Sequence, residues 1–281
     1  MNTVRTIVVG IDFSELSRVA FEAGVALVER LGAQRLHLVH VINEHTSIAY
    51  AFPDAEAVEA NQLERLEEKL ADYHAPGVEV TREVLRGIPA RDIARAAEAA
   101  DGDLIIVASQ GYGAIRRALL GSVAASLVRT SEVPVLIVGA ARKHVAFADV
   151  MAAVDLSPIG DEIVAAAKRF AADGRVHIVS AVEPPPFVSE ALPGHFGAVE
   201  QARLRTAQLE RLQSHGDVEI IDGPSPAEAI LTAASRAGVD LLVIGTSGHS
   251  AWHRMFVGST ATHVLADATC PVLVIPYAGD A

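Results

Sequence analysis

The stretch Thr6-Ile7-Val8-Val9-Gly10-Ile11-Asp12-Phe13-Ser14 returns later in the chain as Asp149-Val150-Met151-Ala152-Ala153-Val154-Asp155-Leu156-Ser157. In both places a short apolar run ends on an aspartate, and a serine stands two residues further on. The repetition continues outward. Arg35-Leu36-His37-Leu38-Val39 answers to Arg175-Val176-His177-Ile178-Val179, and Asp103-Leu104-Ile105-Ile106-Val107-Ala108-Ser109 to Asp240-Leu241-Leu242-Val243-Ile244-Gly245-Thr246. Val133-Pro134-Val135-Leu136-Ile137-Val138 answers to Cys270-Pro271-Val272-Leu273-Val274-Ile275. A period this long is one domain duplicated rather than a solenoid. The boundary is expected near Ala140–His144, giving domains over 1–142 and 143–281.

Within each copy, short apolar runs alternate with segments of helical period. Strands are expected near 6–11, 36–42, 78–84, 104–108 and 135–138, and again near 150–154, 176–182, 218–221, 241–245 and 272–275. Most are continuous Val/Ile/Leu runs, as parallel strands covered on both faces require. The third strand instead alternates Val78, Val80 and Val84 with Glu79, Thr81 and Glu83, the pattern of a half-exposed edge. Ser14 and Ser157 stand where helix N-caps are expected. Leu63, Leu66, Leu70 and Tyr73 share one face of a helix between the second and third strands. The order β-α-β-α-β-α-β-α-β, twice, reads as two tandem open doubly wound α/β domains with helices on both faces of each five-stranded parallel sheet.

Composition narrows the function. Of 281 residues, 51% are hydrophobic and 21% charged, so the chain has the means to bury a core. A net charge of −12, without a basic block, argues against nucleic-acid binding. The single cysteine, Cys270, excludes an intrachain disulfide and a multi-thiolate zinc site. No apolar run approaches membrane-spanning length, and Asp12 interrupts the first apolar stretch too early for a signal peptide. A soluble, cytoplasmic protein is expected.

In open α/β sheets ligands bind beyond the carboxyl ends of the strands, where strand order reverses. Asp12 and Asp155 close the first strands there, placed either to make a turn or to accept hydrogen bonds from a ligand. After the fourth strand of copy two comes Gly245-Thr246-Ser247-Gly248, nine residues, then Gly258-Ser259-Thr260; copy one has Ala108-Ser109-Gln110-Gly111, nine residues, then Gly121-Ser122. Glycines let backbone N–H groups face an anion, and a helix starting at the last glycine adds its own donors. The alternative is that the glycines serve only turns and tight packing. A Walker A loop is absent, since Lys69, Lys143 and Lys168 are the only lysines and none follows a glycine. The dinucleotide glycine pattern and the hydrolase nucleophile elbow are absent too. His37 and His40 share a strand but face opposite ways, and His249 and His253 lack further ligands, so no metal site is expected.

At these residues the chain resembles the universal stress protein family in its tandem two-domain form. The likeness rests on Asp12-Phe13-Ser14 and Asp155-Leu156-Ser157, the glycine segments with their nine-residue spacing, Val39-His40-Val41-Ile42, and the Pro-Val-Leu-Ile-Val endings. The hydroxyls of Ser259 and Thr260 stand beside the same anion site; the resemblance implies that the glycines with Ser122 and Ser259 hold the phosphates and ribose of ATP or another adenine nucleotide, with Mg²⁺, while Asp12 and Asp155 lie at the adenine side. It also implies that the backbone of Val41 contacts adenine, with Ala181 standing there in copy two. Ala108 replaces the first glycine in copy one, which requires a negative φ and room for a methyl group. In the order 3-2-1-4-5 the fifth strand of each copy is an apolar edge, which suggests assembly through these strands, within a chain or as a homodimer. The function implied is a nucleotide-binding stress-response regulator with little or no turnover and a regulatory protein partner. The alternatives are a slow ATP-hydrolysing or nucleotidyl-handling enzyme, and an interaction scaffold with vestigial sites.

Overall fold

The structure, a computed structural model, describes residues 4–43, 55–110, 120–139, 147–155, 157–181, 203, 205–207, 209–246 and 257–277. Gly111, Gly248, His249 and His253 therefore lie outside the described residues. The chain divides into two compact units, Met1–Val145 and Ala146–Ala281.

The first unit runs β1 (Thr6–Gly10), α1 (Glu15–Leu31), β2 (Arg35–Asn43), α2 (Ala55–Ala71), β3 (Glu79–Gly87), α3 (Pro89–Ala99), β4 (Leu104–Ala108), α4 (Ser122–Thr130) and β5 (Val135–Val138). Its strands are parallel and lie in the order β3-β2-β1-β4-β5. The order reverses between β1 and β4. Gly24 of α1 packs against Val9 and Ile106, whereas the neighbouring Gly10 faces Ile93 of α3. Successive strand residues point to opposite faces, so α1 covers one face and α3 the other. Ile7, Leu27, Leu36, Leu104, Ile106 and Leu127 are fully buried between these layers. Each such side chain contributes about 1.5–3 kcal/mol over an exposed one. β3 is the half-exposed edge strand that its alternating sequence describes.

The second unit runs β6 (Asp149–Ala153), α5 (Gly160–Ala171), β7 (Arg175–Ala181), a 3₁₀ turn at Gln213–His215, β8 (Val218–Ile221), α6 (Pro226–Ala237), β9 (Leu241–Gly245), α7 (Ser259–Asp267) and β10 (Val272–Ile275). Its own order is β8-β7-β6-β9-β10, again parallel throughout. Phe147 and Phe170 meet edge to face in its core at 5.7 Å. Their favourable quadrupole contact adds to the burial.

The entry of strand one is held alike in both units. Asp103 Oδ2 accepts from the Arg5 and Thr6 N–H groups at 2.7 and 3.1 Å. Asp240 Oδ2 accepts from the Ala148 and Asp149 N–H groups at 3.1 and 3.3 Å. Helix entry differs. Ser14 caps α1 by accepting from the Ser17 N–H at 3.1 Å. Ser157 does not cap α5, contrary to the sequence reading. The helix begins only at Gly160, Ile159 takes the cap position, and the buried Ser157 hydroxyl has no hydrogen-bond partner among the described residues. Pro158 bears on this, since the residue before a proline is pushed out of helical geometry.

Candidate functional site

In the first unit β1 is the short strand. Its last residue, Gly10, pairs with Val39, while β2 continues to Asn43 against β3. The Ile11 N–H still reaches the Val39 carbonyl at 2.9 Å; beyond it no strand among the described residues pairs with β2 on that side. In a parallel ladder both polar groups of a residue point to the same side, and the side alternates along the strand. The Val39 carbonyl turns toward β1, so the Val41 N–H and C=O turn toward the space past the end of β1.

That space is a cavity of about 650 Å³ at the carboxyl ends of β1, β2 and β4, where strand order reverses. It brings together Asp12, Val41, Ala108, Gly121 and Ser122. Of the first copy's predicted site residues, only Gly111 is left outside the description. Asp12 makes a turn here: its Oδ1 accepts from the Ser14 N–H at 3.0 Å, which fixes the carboxylate on the cavity wall. The turn weighed for this residue is thus formed, and it leaves the carboxylate bordering the cavity.

The opposite wall is the start of α4. Gly121 is its N-cap, at φ −62° and ψ 150°, with no side chain capping the helix. The Gly121 N–H donates to the Ser109 carbonyl at 2.6 Å, which ties the cap to the end of β4. The first N–H groups of a helix have no intrahelical acceptor and carry its positive dipole end. Gly121, Ser122, Val123 and Ala124 all line the cavity, so those donors lie at its wall. Neither Gly121 nor Ala108 has a positive φ, so alanine at 108 is unstrained.

The sequence reading missed His40 as a lining residue. Its Nδ1 lies 2.7 Å from the Ile11 carbonyl. The carbonyl can only accept, so Nδ1 carries the proton. Burial lowers the pKa of this imidazole, against the opposing effect of that hydrogen bond. The Phe13 ring lies 4.6 Å from it, with Phe13 held at φ 61°. A signal existed in the duplication. Ser180 occupies the matching place, and its hydroxyl donates to the Val154 carbonyl at 2.7 Å. In each copy a polar residue of the second strand closes the carbonyl just past strand one. His37, by contrast, points to the other face, with its ring nitrogens 2.9 Å from Thr81 Oγ1 and 3.3 Å from Glu83 Oε2.

Pro89 and Ile93 of α3 complete the cavity. Asp92 sets the start of that helix by accepting from the Ile88 N–H at 2.7 Å. Hydrogen bonding from Arg91 holds the Asp92 carboxyl below the usual range, with the Ile88 N–H acting the same way. Gly87 sits at φ 148°, where a side chain would strike the Asp92 carboxylate.

The second unit repeats much of this frame. Asp155 Oδ1 accepts from the Ser157 N–H at 2.9 Å, and the Val154 N–H donates to Val179 at 2.9 Å. Ala181 ends β7 as Val41 lies near the end of β2. Gly258 caps α7 at φ −59°, and its N–H donates to Thr246 at 2.8 Å; Ser259 and Thr260 form the first turn. Gly245 differs from its counterpart Ala108. A methyl group there would collide with Ile159 Cδ1 and lie 3.4 Å from Ile163 Cδ1. The space a side chain at Gly245 would need is thus occupied by Ile159. Among the described residues no group of three or more His, Cys, Asp or Glu is arranged to hold a metal ion. No helix among them is long and apolar enough to cross a membrane.

A model of the universal stress protein family matches the chain twice, over residues 3–139 and 146–276. A universal stress protein of Thermus aquaticus is 37% identical over 118 residues, which is 40% of this chain and 85% of that protein. One from Mycobacterium tuberculosis is 31% identical over 186 residues, 62% of each chain, so the match spans less than two thirds of that relative. The crystal structure of a universal stress protein from Archaeoglobus fulgidus aligns with a TM-score of 0.69 at 23% identity, covering 98% of this chain and 99% of that one, a likeness of fold.

Proposed function

The chain belongs to the universal stress protein family in both of its halves, and from that premise we propose that its first domain binds an adenine nucleotide, ATP with Mg²⁺, as a regulatory ligand in a stress response. The observation that carries the reading is the cavity of about 650 Å³ bounded by the uncapped start of α4 on one side and Asp12 with the end of β2 on the other. Its size falls in the usual range of small-molecule sites, roughly 300–1,000 Å³. A helix start with glycine at the cap offers several N–H donors and a positive dipole end to phosphate. Gly121 and Ser122, together with Gly111, take the phosphates in this reading. The Val41 backbone meets the adenine edge, and Asp12 accepts hydrogen bonds at the nucleoside end. Ala108 leaves the floor between them low.

The ligand is held rather than consumed. Among the described lining residues Asp12 is the only carboxylate. Phosphoryl transfer calls for positioned metal ligands and a group that orients the nucleophile. The reading extends to a cytoplasmic homodimer acting through a regulatory protein partner.

Mass spectrometry of small molecules released by denaturing the purified protein is expected to find an adenine nucleotide. Calorimetry with ATP and Mg²⁺ is expected to show binding that Gly121→Val removes by crowding the helix start. A folded protein that releases no nucleotide and gives no binding isotherm would overturn the proposal.

A further inference from the structure

We infer that the chain holds one nucleotide rather than two, because Ile159 closes the second domain's cleft. The inference rests on the nucleotide reading of the first domain and concerns how many sites the duplication has kept.

The two helices that follow strand one match residue by residue. The buried set of α1, including Ser17, Ala20, Phe21, Gly24 and Leu27, is repeated in α5 as Gly160, Ile163, Val164, Ala167 and Phe170. On this register Ile159 corresponds to Leu16. Leu16 lies within α1, partly exposed, and lines a separate surface groove with Arg18, Lys69 and Tyr73. Ile159 lies just before α5, is only 3% exposed, and sets its Cδ1 against Gly245. The cause is the late start of α5. A turn replaces the first helical residues, and the side chain at this position swings from the outer surface onto the end of β9.

Gly245 matches Ala108, and Gly160 matches Ser17, two residues that border the open cavity of the first domain. In the second domain both positions are covered. Ile159 lies over Gly245, and the His215 ring lies so close to Gly160 that no side chain fits there. His215 is held in place, with Nδ1 2.8 Å from Asp161 Oδ1. The glycine motif of the second copy is thus more complete than that of the first, yet its opening glycine makes room for a side chain of the protein itself. A nucleotide entering there must displace a buried isoleucine, which the first domain does not ask of it.

Calorimetric titration of the intact chain with ATP and Mg²⁺ tests this. One nucleotide per chain is expected, with all binding lost in Gly121→Val. Ile159→Ala is expected to add a second binding event, which raises the stoichiometry to two. Two sites in the wild-type chain, or half the binding retained in Gly121→Val, would overturn the inference. So would an Ile159→Ala variant that folds and still binds one. If Ile159→Ala does not fold, the Gly121→Val stoichiometry still decides. No binding by a folded wild-type chain would instead sink the nucleotide reading on which the inference stands.

Discussion

The two domains share strand order, the Asp-x-Ser turn and a glycine-capped helix after the fourth strand, yet they differ at the floor between these parts. In the first, Ala108 and Ser17 border open space. In the second, Gly245 and Gly160 lie beneath Ile159 and His215. The residue with the smaller side chain is therefore found at the more crowded place. A missing Cβ allows close approach, but the approaching group can be a ligand or the protein's own core. The spacing of glycines does not say which.

The comparison breaks most sharply at position 245. Gly245→Ala must push Ile159 aside, and forcing extra atoms into a packed site costs about 1–3 kcal/mol. Removing Cδ1 with Ile159→Val should relieve most of that cost in the double variant. The reverse change in the first domain, Ala108→Gly, is expected to cost only about 0.5–1 kcal/mol, through backbone freedom rather than packing. Urea unfolding of the single and double variants measures both. Equal penalties at the two positions, or no coupling between 159 and 245, would mean that Ile159 is not what fills the floor.

Helix entry gives a smaller contrast. Ser14→Ala removes the hydroxyl that accepts from the Ser17 N–H and should cost about 1 kcal/mol. Ser157→Ala removes a buried hydroxyl that has no partner among the described residues, so stability should hold or rise slightly. If the two serines prove equally costly, then α5 is capped in solution as α1 is.

The smallest effect concerns pH. Burial lowers the His40 pKa, so the unfolded chain binds this proton more readily than the folded one. Its contribution is fully present above the unfolded value, about pH 6.5, and is lost as pH falls through the lower folded value. His40→Ser installs the residue of the second domain. It should flatten the decline in stability below pH 6.5 relative to wild type. Unfolding curves that differ by a constant amount at every pH would show that His40 does not titrate in this way.

Much of this was legible in the sequence, for identifiable reasons. Parallel strands buried on both faces leave continuous apolar runs such as Leu104–Val107 and Leu241–Ile244, and the duplication printed each run twice. The edge character of β3 was visible because its outward positions carry Glu79 and Glu83. Asp12, Val41, Ala108, Gly121 and Ser122 gather at one cavity because all five lie at carboxyl ends of strands or at the start of the helix that follows. What stayed hidden depended on contacts across the fold. Asp155-Leu156-Ser157 reads like Asp12-Phe13-Ser14, but whether the following residue points outward or inward is set by where the helix begins. Gly160 lacks a side chain on account of a histidine 55 positions away in the chain. His40 was weighed as a metal ligand, whereas its partner is a carbonyl that only the register of β1 and β2 brings near.

The carboxylates of Asp103 and Asp240 hold strand one at the end opposite the cavity, roughly 16 Å away for five residues at about 3.3 Å each. Anchorage and the cavity are thus kept at separate ends of β1. A duplicated half can exchange alanine for glycine, histidine for serine, or an open floor for a filled one, without loosening the alignment on which its sheet depends. Such a fold can let one half retire from a task while it goes on serving as a well-formed body.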